Sequence, residues 1–223
     1  MKLQRTPKAL ERKKRPLRDA RLFVVATEDR YLPRRYFDIF RHQRVVVEVL
    51  PTEDCRSAPE HVLARLKEHQ QDDNHIEGDE FWLMLDIDHW TTPDHVANFR
   101  AVCAEARRRG YHLAHSNPCF EVWLLLHVAA VAESEQLPNC SAVVARLQGH
   151  LGGYNKGNET RWLSCLTPEQ VSDAVMRAET LAGNANNLWP QQVGTDVFRL
   201  VKNLLTAPVG YPVTVNGRTL KGK

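Results

Sequence analysis

FWLMLDID, residues 81–88, is the most hydrophobic stretch of the chain, and it stops at a pair of aspartates. An uninterrupted apolar run of strand length predicts a strand covered on both faces, as in a sheet sandwiched by helices. The segments around it have the same character. Upstream lie RVVVEVLP (44–51) and LFVVAT (22–27), both rich in β-formers, and downstream LAHS (113–116). Helical patterns separate these strands. YLPRRYFDIFRHQ (31–43) predicts a short helix entered at Pro33. Ser57 with Glu60 predicts a capping box for a helix carrying Val62, Leu63 and Leu66. Asp94 is expected to cap a helix running through Val96, Phe99, Val102, Cys103 and Ala106 to Gly110, a natural stop. CFEVWLLLHVAAV (119–131) reads as a buried helix. The β-α alternation predicts an α/β fold with a mostly parallel, Rossmann-like sheet and helices on both faces.

From about residue 132 the pattern turns helical, with candidates near 140–150, 168–183 and 195–205 and a short strand or tail from Pro208. The expected organisation is an arm over residues 1–21, an α/β core over 22–131, and a helical C-terminal extension over 132–223. Apolar residues make up 43% and charged residues 26%, which suits a globular chain. No run approaches the ~18–20 apolar residues of a membrane span, and the N-terminus lacks the apolar core of a secretory signal. Five cysteines with no paired spacing argue against a disulfide framework and for a reducing, cytoplasmic setting. They also show no Cys-x-x-Cys spacing for zinc.

The net charge of +3 is unevenly distributed. Residues 1–21 hold nine Lys/Arg against Glu11 and Asp19, a net of +7, so the rest of the chain carries −4. A basic arm on an acidic body either contacts nucleic-acid phosphates or is a solvated extension.

Ligands of open α/β sheets gather outside the carboxyl ends of the strands, and two of those ends are acidic here. Glu28 lies one residue past the first strand, and Asp86 and Asp88 end the third. Asp-x-Asp on an extended segment puts both carboxylates on one face. They repel each other unless a cation stands between them, and Mg²⁺, or Mn²⁺ in its place, is the hard ion that carboxylates and phosphate share. Acids at strand ends can also be merely solvated. Haloacid-dehalogenase-type phosphatases place the pair on the first strand, unlike this chain. Glycosyltransferases share the spacing and stay open. Toprim-type phosphotransferases use an early Glu and a later Asp-x-Asp, the order found here.

SNPCFEVWLLLH, residues 116–127, adds a more specific signal. With the Asp-x-Asp one helix earlier and Glu28 eight residues before Tyr36-Phe37, the chain resembles the RloB family, also called the AbiL second-component family. The looser matches Tyr154-x-Lys156 and Thr195-Asp196-Val197-x-x-Leu200-Val201 extend the likeness over about residues 21–205. The chain departs from the family pattern at Asp29, where the family has Gly, at Leu32-Pro33-Arg34, where it has Thr-Glu-Pro, and at His89, where an acid often follows the aspartates. The resemblance implies a Toprim-like fold and a Mg²⁺-dependent nuclease acting on DNA or RNA. It also implies a role in bacterial defence against phage beside a partner ATPase of the ABC or SMC-like type. The alternative is a non-catalytic sensor or adaptor docking on that ATPase; a homo-oligomer is also expected to be possible.

On this reading Asp86 and Asp88 are the metal ligands and Glu28 a general acid/base or further ligand. Glu121, an acid inside an apolar helix, either completes the metal site, holds a neighbouring cation or caps backbone near Asn117. Asn117 is expected to hydrogen-bond the turn at Pro118. His127 is a proton shuttle or, preferably, a structural histidine, and Cys119 a small buried residue. Arg30, Arg34 and Arg35 follow Glu28 and would hold a nucleic-acid backbone. Lys156, in the loop GGYNKGN, is either a phosphate contact or an exposed loop lysine.

Overall fold

In a computed structural model, residues 20–52, 56–71, 75–132, 135–154, 161–183, 187–206 and 212–219 are described. The basic arm up to residue 19 and Lys156 lie outside them. Strands β1 (Arg21–Thr27), β3 (Val45–Leu50), β4 (Glu80–Asp86), β5 (His112–Asn117) and β6 (Gly194–Thr195) form one sheet in the order β3-β1-β4-β5-β6. All neighbours are parallel except β6, which pairs antiparallel with the end of β5. Two-residue strands β2 (Phe40–Arg41), β7 (Thr214–Val215) and β8 (Arg218–Thr219) make a small second sheet. The mostly parallel α/β sheet expected from the sequence is present, with helices on both faces.

Alternation along each strand decides which face a helix covers. Leu22, Val24 and Ala26 of β1 and Phe81, Leu83 and Leu85 of β4 pack with α2 (Pro59–Gln71) and α3 (Val96–Arg108). Phe23, Val25, Trp82 and Met84 face the other way, toward α1 (Leu32–Phe37), α4 (Glu121–Leu125), α5 (Cys140–Leu151), α6 (Pro168–Ala182) and α7 (Val197–Leu205). The C-terminal helices therefore share one apolar cluster with the sheet. Arg21, counted with the basic arm in the sequence, is the first residue of β1. It donates to Gly78 O at 2.8 Å and pairs with the buried Glu80.

Several local details differ from expectation. The first bonds of α2 are accepted by the Ala58 carbonyl, so Ala58 rather than Ser57 stands at the cap. His95, not Asp94, precedes α3, and it makes no side-chain cap. Gly110, at φ +79, does end that helix. The helix at 119–131 is short: α4 is five residues, followed by turns through Val128. The capping box proper belongs to α6, where Thr167 and Gln170 bond each other's backbone.

Cys119 and Cys140 are joined as a disulfide, which corrects the expectation of unpaired cysteines. Their spacing of 21 residues gave no signal, but the packing of α4 on α5 brings their Cα atoms to 5.6 Å. Among the described residues Cys103 and Cys165 are free, and no helix is long and apolar enough to cross a membrane.

Candidate active site

The sheet reverses its winding between β1 and β4. The connection from β1 to β3 carries α1 on one face, and the connection from β4 to β5 carries α3 on the other. Such a reversal leaves a crevice outside the carboxyl ends of the two strands, where α/β proteins place ligands. Glu28 stands on one side of this crevice and Asp86 and Asp88 on the other. In the parallel register Thr27 lies beside Met84, so Glu28 sits level with the end of β4. Its Oε1 accepts the backbone N–H of Asp86, tying the two strand ends together, and its Oε2 accepts Trp90 Nε1–H at 3.4 Å.

Between the aspartates, Ile87 turns into the core, 2% exposed. Its N–H is shared by Ser116 O at 3.0 Å and Pro118 O at 3.3 Å. This anchors the Asp-x-Asp segment to the end of β5 and directs Asp86 and Asp88 away from the core. Asp88 Oδ1 accepts the His89 backbone N–H at 2.8 Å and also meets His89 Nδ1. His89 lies against Trp90, with ring centroids 4.3 Å apart, and Trp90 meets His95 edge-on at 5.6 Å. Trp90 and His89 were not singled out as site residues from the sequence. Their place immediately behind the aspartate pair was the available signal.

The donors of the crevice are carboxylate oxygens, the hard ligands that Mg²⁺ and Mn²⁺ take. A carboxylate offers about four lone-pair positions, so the two contacts made by Glu28 and the two made by Asp88 leave room for an ion. By the chemistry of the donor set the residues fit such a metal. They are not tightly drawn together, however. Among the described residues only Cys119, Glu121 and Cys140 bring three ligand atoms within 4.8 Å of one another.

The other expected residues are scattered. Arg30 is exposed with its guanidinium 5.3 Å from the Tyr31 ring centroid, and Arg34 and Arg35 are exposed on α1. Asp29 accepts the N–H groups of Tyr31 and Leu32 at 2.7 and 3.0 Å, which shapes the entry to α1. Asn117, before a cis Pro118, donates to Pro190 O at 3.0 Å and so pins the loop that leads into β6. Glu121 is fully buried and meets Cys140 Sγ at 3.5 Å. His127 is buried and held on both ring nitrogens. Its Nδ1–H donates to Trp123 O at 2.9 Å, its Nε2 meets Tyr36 Oη at 3.2 Å, and burial lowers its pKa to about 4.

A family model described as RloB-like protein matches residues 23–204. No curated protein and no solved structure matches the chain.

Proposed function

The chain belongs to the RloB-like protein family, and from that premise we propose that it is a Mg²⁺-dependent, Toprim-like nuclease that hydrolyses phosphodiester bonds of DNA or RNA. The observation that carries this reading is the meeting of Glu28 with the Asp86 amide at the winding reversal, beside the Asp-x-Asp segment. Asp86 and Asp88 hold the metal, and Glu28 serves as a further ligand or as the acid/base. When bound, the cation supplies charge stabilisation at the scissile phosphate and a more acidic water. Glu28 ties its own strand end to the Asp86 amide just past the β1–β4 ladder. The exposed Arg30, Arg34 and Arg35 give the strand a cationic edge that positions phosphates without reading bases. The protein acts in the bacterial cytoplasm in defence against phage, beside an ATPase of the ABC or SMC-like type, with the basic residues that precede β1 as a tether for nucleic acid or partner.

The test is incubation with supercoiled DNA, single-stranded DNA and total tRNA, in Mg²⁺, Mn²⁺ or chelator. Wild type should cut at least one substrate only with metal, and Asp86→Ala and Asp88→Ala should lose cleavage while melting as wild type does. Cleavage by either variant at the wild-type rate would sink the proposal. A second reading, an adaptor that binds the ATPase without cutting, is favoured by the carboxylates lying apart. Capture of the ATPase by a wild type that cuts none of the substrates would replace the first reading with this one.

A further inference from the structure

Glu121 is the first residue of α4, Cys119 lies two residues before it, and Cys140 is the first residue of α5. These two helix starts pack together, and their three side chains form a cluster that the nuclease reading does not use. We propose that Cys119, Cys140 and Glu121 are a redox-gated site for a borderline-soft divalent cation of the zinc class. The site is closed when the sulfurs are bonded to each other and open when they are reduced.

The donor set is two sulfurs and one carboxylate oxygen, all within 4.8 Å of one another. That combination favours Zn²⁺ over the Mg²⁺ that an all-oxygen crevice takes. Tetrahedral coordination at ordinary zinc bond lengths puts sulfur and oxygen about 3.6 Å apart. Cys140 Sγ and Glu121 Oε2 are 3.5 Å apart. The electrostatics point the same way. Glu121 is fully buried and followed by Val122, Trp123, Leu124 and Leu125, all buried. A charge in such surroundings is costly unless it is compensated. A disulfide sulfur has no proton to donate to the Glu121 carboxylate. A dithiol gives it a weak donor, and a cation held by two thiolates gives it a ligand bond. Cys119 is buried and Cys140 half-buried, so the cluster has a side open to solvent. Three protein ligands leave a fourth position for water, as in zinc sites that are not purely structural.

Opening the site balances simply. A dithiol reductant gives two electrons and two protons to the sulfur pair and leaves as its own disulfide. Zn²⁺ then displaces the two thiol protons to solvent.

The experiment uses the full chain carrying Asp86→Ala and Asp88→Ala, so that the carboxylate crevice does not contribute and a failure there stays separate from a failure here. Phosphine-reduced protein, freed of reductant without oxygen, is titrated with Co²⁺. The expected result is one Co²⁺ per chain with thiolate-to-metal charge-transfer absorption, displaced by Zn²⁺, absent from the oxidised protein and lost in Cys140→Ser. Glu121→Gln keeps the thiolate band and binds more weakly. Where Cys140→Ser does not fold, alkylation of the reduced parent decides. Zn²⁺ should protect Cys119 and Cys140 and leave the exposed Cys165 as reactive as before. A reduced, folded protein with no thiolate band overturns the proposal. So does a wild-type band in folded Cys140→Ser, alkylation that Zn²⁺ does not alter, or a bridge that no reductant opens short of unfolding.

Discussion

Replacing Glu28 separates what its oxygen holds from what its charge does. Glu28→Ala removes the acceptor of the Asp86 backbone N–H, a bond that extends the β1–β4 ladder at the strand ends. A hydrogen bond to a charged group contributes about 1.5–3 kcal/mol. Glu28 is half-exposed, so water replaces part of what is lost and the cost falls toward the lower end, about 1.5–2 kcal/mol. The Trp90 contact at 3.4 Å is long and adds little. For a chain of this size 1 kcal/mol moves Tm by about 2–4 °C, so Glu28→Ala should melt about 3–8 °C below wild type. Glu28→Gln keeps an oxygen in the same place without the charge. It should recover at least half of that loss and still fail in metal binding and cleavage. Circular-dichroism melts at neutral pH, with Mn²⁺ titration calorimetry on the same samples, measure both quantities. A Glu28→Ala melt within about 1 °C of wild type would refute the strand-tie argument. Full metal affinity in Glu28→Gln would refute the charge argument.

Burial lowers the pKa of His115 to about 3 and of His127 to about 4. Both lie below the ordinary histidine value, so the stability they carry is complete above about pH 6.5 and is lost as pH falls toward their folded values. Their ring resonances should stay at neutral-form positions from about pH 8 to pH 5, and an NMR midpoint above about 6 for either would contradict this. Asn216 sits at φ +48 and donates to Leu163 O at 2.8 Å and Leu166 O at 2.9 Å. Asn216→Gly should cost about 1–3 kcal/mol for the lost bonds, and Asn216→Ala about 1 kcal/mol more for the left-handed backbone. Urea denaturation measures both, and alanine no worse than glycine would show that the backbone there is not constrained.

The strands and the two acidic strand ends were legible because apolar runs and alternation are local properties. FWLMLDID could hardly be anything but a covered strand with its acids outside. Cap residues were less legible, since Ser57 and Asp94 were each one position from the cap, and backbone geometry rather than residue type decided between neighbours. The shortness of α4 was hidden because buried turns and buried helix have the same composition. Strand β6 was missed for a different reason. Two residues, Gly194 and Thr195, carry no periodicity, and only the end of β5 makes them a strand. The Cys119–Glu121–Cys140 cluster depends on the packing of two helices 21 residues apart in their cysteines, which spacing rules do not register. At the site, Asp86 and Asp88 were evident from spacing, whereas the Trp90 contact with Glu28 spans 62 residues.

The apolar cluster that runs from Phe23 to Val215 also bears on how the chain is made. Helices α6 and α7 belong to the same apolar cluster as Phe23 and Trp82, with α7 packed on β5 and α6 on β6, and β2 finds its partner only at Thr214–Val215. A nascent chain emerging from the ribosome completes this cluster only when α7 and Thr214–Val215 have cleared the exit tunnel. Distant pairings of this kind slow folding and prolong the exposure of sticky surface. The protein should therefore lean on chaperones during synthesis more than a chain whose sheet is finished early.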